Sequence, residues 1–73
     1  MNKEEFIAHL ADIIQTDEKL SEDSVLGDFS EWDSLAVMST ISFVEENFHK
    51  NLTFSDLGNV VSVSDLLKLV GLK

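Results

Sequence analysis

Not one proline interrupts this chain, and its only glycines are Gly27, Gly58 and Gly71. Proline and glycine punctuate regular backbone more strongly than any other residues, so their scarcity favours helices joined by short connections. Cysteine is absent as well, which removes disulfides, thiolate metal sites and a cysteine nucleophile, and with them any pointer to secretion. The 73 residues must therefore hold one small domain together by core packing alone. Domains of that size bury only ~60% of the surface the unfolded chain exposes, which leaves almost no room for a large enzyme with its own cleft. The material for a core is present: 44% of residues are hydrophobic and 26% charged, too apolar a balance for a disordered tail.

The apolar spacing places the elements. Asn2 followed by Glu5 has the form of a capping box, and Phe6, Leu10, Ile13 and Ile14 then fall on one face, predicting helix one over 3–15. From Thr16 to Asp33 the periodicity lapses into an acidic, serine-containing stretch with isolated apolar residues Leu20, Val25, Leu26 and Phe29. This predicts a long, partly buried loop that is either functional or crosses the end of a bundle. Leu35, Met38, Ile41 and Val44, with Phe48 a turn later, predict helix two over 34–48 with that series as its core stripe, and Asp33 and Ser34 are its capping candidates. Ser55 and Asp56 are expected to open a short third helix that stops near Gly58. Ser62 and Asp65 form a second capping box, Leu66, Leu67, Leu69 and Val70 supply an apolar side, and Gly71 stands where a terminal glycine belongs, so helix four spans 63–70. Val60 and Val61 are too few to hold a strand without a partner. The expected architecture is all-α: a four-helix up-down bundle with a long loop between helices one and two and a short third helix, forming one domain over 1–73.

Charge narrows the partners. Five lysines against fourteen Asp and Glu give a formal net charge of −9, a field that repels nucleic-acid phosphates and anionic lipid headgroups and attracts basic protein surfaces. No apolar stretch approaches the ~20 residues of a membrane span, and the Met-Asn-Lys-Glu-Glu start is too polar and acidic for a signal or transit peptide. A cytoplasmic monomer with no nucleic-acid partner and no membrane insertion is expected.

The most informative stretch is Glu31-Trp32-Asp33-Ser34-Leu35. It puts a hydroxyl in the first turn of a helix, directly after a long loop, where unpaired N–H groups and the positive end of the macrodipole favour an attached phosphate. Spacing alone favours the plainer reading, in which Ser34, or Asp33, is no more than the helix cap, the commonest use of Ser and Asp at such positions.

Asp33-Ser34-Leu35, followed by Val37, Ile41, Glu45, Glu46 and Phe48, resembles the second helix of the acyl carrier and peptidyl carrier proteins. The likeness extends over essentially the whole chain, through its size, acidity, helix-loop-helix order, short third helix and a closing helix with Val63, Leu66 and Leu67. It implies an acyl-carrier-type bundle, no enzymatic activity, and a 4′-phosphopantetheine arm carried covalently on Ser34, with Asp33 helping to recruit the magnesium-dependent phosphopantetheinyl transferase that installs it. It further implies that acyl or aminoacyl cargo is held as a thioester and shuttled between a loading enzyme and a downstream transferase or synthase. Glu31, Trp32, Leu35, Met38, Glu45 and Glu46 are the residues expected to meet those partners. Trp32, Ala36 and Ser39 depart from the fatty-acid type, and the resemblance then points to a stand-alone carrier of a dedicated pathway, with D-alanine, aminoacyl and polyketide carriers all similar. For Trp32 the expectation from size alone is cover for the loop junction, ahead of a partner-contacting anchor.

Other constellations are weak. His9 and His49 lack metal-ligand or catalytic spacing. A triad of Ser34, His49 and Asp33 fails because Asp33 adjoins Ser34 and cannot orient a distant imidazole. The acidic run Asp17, Glu18, Glu22, Asp23 and Asp28 lacks the glycine and closing glutamate of an EF-hand loop, although Asp28, Glu31 and Asp33 would attract magnesium if they cluster near the loop end. The competing reading is an unmodified acidic helical adaptor, such as a nucleic-acid mimic occupying a basic groove. A mimic has no need of the Asp33-Ser34-Leu35 placement and would spread its carboxylates in rows.

Overall fold

A computed structural model describes all residues, 1–73. The chain is all-helical: α1 spans Lys3–Ile14, α2 Ser34–Phe48, α3 Phe54–Gly58 and α4 Val63–Val70. No strand forms, only one isolated antiparallel bridge between Val25 and Ser62. The architecture is compatible with a small helical bundle.

Each start is chemically specified. Asn2 and Glu5 cap α1 reciprocally, at 2.8 Å and 3.1 Å, and Ser62 and Asp65 do the same for α4. The start of α3 differs from expectation. Its cap is Thr53, whose hydroxyl accepts from the Asp56 N–H at 3.1 Å while Asp56 accepts from the Thr53 N–H at 2.9 Å, so Ser55 lies inside the helix. Thr53 and Asp56 have the same three-residue spacing as the other two boxes. Gly71 ends α4 in the left-handed region at φ 87°. Gln15 and His49 end α1 and α2 in that region without glycine's freedom, at φ 59° and 56°.

The core is one cluster to which every helix contributes: Phe6, Leu10 and Ile14 from α1, Val44 from α2, Leu57 from α3, and Val63, Leu66, Leu67 and Val70 from α4. The long loop adds Leu20 and Leu26. Phe6 is fully buried against Phe43 and Phe48, with ring centroids 5.7 Å and 5.8 Å away, in the tilted and edge-on arrangements aromatic pairs prefer.

The buried face of α2 corrects the expected stripe. Leu35 and Met38 are 71% and 53% exposed, and the face turned inward carries Ala36, Thr40 and Val44, flanked by the half-buried Val37, Ile41 and Phe48. The reason is rotational. At about 100° per residue a series of three-residue steps drifts some 60° each time, so Leu35 ends up on the opposite side of the helix from Val44. Steps of four, as in 36, 40 and 44, drift less and in the other sense. Thr40 is tolerated in the core because its hydroxyl donates to the Ala36 carbonyl at 2.8 Å. Ile13 is likewise half-buried, not a core residue.

The loop between α1 and α2 is tied down in its middle. Its residues pair with the start of α4 through Leu26 N–H to the Val61 carbonyl, Val63 N–H to the Ser24 carbonyl and Ser64 N–H to the Glu22 carbonyl, at 2.9–3.0 Å. A 3₁₀ turn at Leu26–Asp28 follows, burying Leu26. Val61 thus finds a backbone partner, but one bridge does not make a sheet.

Candidate functional site

The approach to Ser34 is a run of tight turns. Phe29 N–H donates to the Leu26 carbonyl at 3.1 Å, Trp32 to Phe29 at 3.0 Å and Asp33 to Glu31 at 2.9 Å. Trp32 is half-buried and packs on the core, which anchors the last turn before the helix and agrees with the covering role expected from its size.

Asp33 then makes the cap: its carboxylate accepts from the Ala36 N–H at 3.0 Å, and its carbonyl accepts from the Val37 N–H at 2.9 Å. This separates two roles that spacing left open. Ser34 is the first residue of α2, exposed, and its hydroxyl is not spent on capping. A nucleophile-sized polar group stands free at the positive end of a 15-residue helix with a carboxylate beside it.

The remaining expected residues divide along α2. Glu31 and Asp33 line a groove with Leu35, Ser39 and Ile13 of α1. An adjoining groove of about 410 Å³ shares Ile13, Leu35 and Ser39 and is closed by Met38 and Glu46. Trp32 lies instead in a separate apolar groove with Val25, Phe54 and Val61. Glu45 and Glu46 are both exposed and line, with His49, an open polar groove at the far end of the helix. The exposed apolar residues Phe54 and Val61, at 54% and 60%, carried no sequence signal, because a single outward residue beside a cap breaks no periodicity.

His49 follows the last residue of α2, so a helical rise of about 1.5 Å per residue sets it on the order of 20 Å from Ser34, which rules out a direct Ser34–His49 pair. His9 is exposed and lies over Phe43, ring centroids 5.1 Å apart. No group of three or more His, Asp or Glu side chains is placed to hold a metal ion, so Asp28, Glu31 and Asp33 do not form the cluster considered for magnesium.

Two carboxylates titrate low for local reasons. Glu22 is held below its usual range mainly by the hydrogen bond from the Lys73 ammonium, 2.9 Å away; desolvation opposes this, and Lys3 at 3.7 Å adds further attraction. Asp65 is lowered by the N–H groups of Val61 and then Ser62, at 3.0 Å and 3.2 Å. Both act on the frame and neither lies at Ser34.

No family model matches the chain, and neither does any curated protein or solved structure. No helix is long and apolar enough to cross a membrane.

Proposed function

We propose that this chain is a carrier protein of the acyl or peptidyl carrier type, an acyl-carrier-like up-down bundle that acts as a substrate shuttle and not as an enzyme. The observation that carries the reading is the division of labour at the start of α2. Asp33 closes the helix, and the neighbouring Ser34 is left exposed with its hydroxyl uncommitted.

The residues present fit a 4′-phosphopantetheine group. Ser34 would hold it through its side-chain oxygen, in the field of the helix N-terminus that favours a phosphodiester. Asp33, fixed by its capping bond, would present a carboxylate of defined position to the magnesium-dependent phosphopantetheinyl transferase. When bound, the group supplies a thiol that this cysteine-free chain lacks, able to hold acyl or aminoacyl cargo as a thioester. Tethering raises the effective concentration of that cargo at each docked enzyme, as any linker does for a second encounter. The surplus of carboxylates favours loading and downstream enzymes with basic surfaces. Because a carrier meets its cargo mainly through the arm, cargo identity resides in those enzymes, whether of a fatty-acid, polyketide, nonribosomal-peptide or D-alanylation pathway.

The test is an intact mass after incubation with coenzyme A, magnesium and a broad-specificity transferase. A gain of one phosphopantetheine in the wild type, absent in a folded Ser34→Ala variant, supports the reading. An unmodified wild type would sink it.

A further inference from the structure

The long loop is fastened to the rest of the molecule at one carboxylate. The only two ion pairs in the structure converge on Glu22, from Lys73 beyond α4 at 2.9 Å and from Lys3 of α1 at 3.7 Å. Lys73 also donates to the Ser64 hydroxyl at 2.7 Å, and the Ser64 N–H donates to the Glu22 carbonyl at 2.9 Å. A ring of polar contacts thus closes through Glu22, Ser64 and Lys73. Next to it lie the bonds from Val63 N–H to the Ser24 carbonyl and from Leu26 N–H to the Val61 carbonyl, around the Val25–Ser62 bridge. Val63 and Ser64 open α4, where N–H groups have no partner within the helix, so the loop carbonyls satisfy both. Electrostatics otherwise favours release. Residues 16–33 carry seven of the fourteen acidic side chains and a single lysine, Lys19, and only Leu20 and Leu26 among them are buried.

We infer that Glu22, Lys3 and Lys73 form an ionic latch: residues 22–26 open from 61–64 as one unit while the helical core stays folded, and the strength of these ion pairs sets how often. Local opening of this kind is drawn from segments with few buried apolar contacts, as here. The latched segment leads through the turns at Phe29 and Trp32 to Ser34, so the latch governs how firmly the approach to α2 is held. It belongs to the unmodified chain and does not depend on what Ser34 carries. Salt distinguishes it from unfolding of the whole domain. Screening relieves the self-repulsion of a chain with net charge −9 and so strengthens the fold, but it weakens attraction between exposed partners such as Glu22 and Lys73.

The experiment is native-state hydrogen exchange of the ¹⁵N-labelled chain, read by ¹H–¹⁵N NMR at about 0.01 M and about 0.3 M sodium chloride. The amides of Leu26, Val63 and Ser64 report the latch, those of Leu10 and Val44 the core, and that of Val70 the body of α4. In the wild type the three latch amides should share one protection level below that of the core, and the ratio of latch to core protection should fall with salt. Glu22→Gln and Lys73→Gln should each lower latch protection about fivefold, leave Leu10, Val44 and Val70 unchanged, and abolish most of the salt dependence of the ratio. Asp23→Asn, which removes a neighbouring charge that is in no ion pair, should not loosen the latch. All three variants alter polar side chains at the surface, and dispersed spectra verify their fold. Latch amides that exchange at the core rate in the wild type, unchanged protection in Glu22→Gln and Lys73→Gln, or a loss spread equally over Leu10 and Val44 would each overturn the inference.

Discussion

At Ser34 and Asp33 two neighbouring polar side chains have been given different work. Asp33 spends its carboxylate on the Ala36 N–H, so Asp33→Ala should cost ~1 kcal/mol of stability, as cap removal typically does. Ser34→Ala removes no cap and should melt within a fraction of that of wild type. Urea unfolding of the two variants reads the difference, and a Ser34→Ala loss equal to that of Asp33→Ala would show that the serine shares the capping. The sequence narrowed the cap to these two residues but could not choose, because serine and aspartate cap almost equally well and only the folded geometry decides. Leu35 and Met38 teach a different lesson. Their spacing matched a helical repeat, yet a three-residue series winds around the helix, and the true inward face included Thr40, whose polarity concealed it until the bond to Ala36 was seen.

Helix starts were the most legible elements, because a capping box is a local rule whose parts lie three residues apart. The boxes at Asn2 and Ser62 follow it, and Thr53–Asp56 obeys it two residues before the expected start. Less legible was the pairing of residues 22–26 with 61–64, which joins segments too distant in sequence for any short pattern to mark. One cap and one ion pair set the acid behaviour. A carboxylate whose folded pKa is depressed contributes stability that is fully present above its unfolded value, about 4 for Asp and Glu, and is lost as pH falls through the lower folded value. Glu22 and Asp65 are both of this kind. Unfolding free energy should therefore decline as pH falls from about 5 toward 3. Asp65→Asn should be less stable at neutral pH and flatten part of that slope, since an amide oxygen accepts from Val61 and Ser62 without titrating. A variant whose acid slope matches the wild type would locate the sensitivity elsewhere.

Over the whole molecule, a net charge of −9 sits on a core of modest size, and its self-repulsion works against the compact state. The melting temperature should rise with sodium chloride as the Debye length shrinks from ~30 Å at 0.01 M to ~10 Å at 0.1 M. With no group of carboxylates placed to hold a metal ion, magnesium at equal ionic strength should act as sodium does. Calorimetry in the two salts checks this. A markedly larger magnesium effect would reveal a binding site that the arrangement of Asp28, Glu31 and Asp33 does not provide. The central claim concerns one hydroxyl among nine serines. Tandem mass spectrometry of peptides from the transferase-treated chain locates any adduct directly. Phosphopantetheine on the peptide holding Ser34, and on no other serine, is the result the carrier account predicts. An adduct at Ser30, Ser39 or Ser42, or none at all, would contradict it.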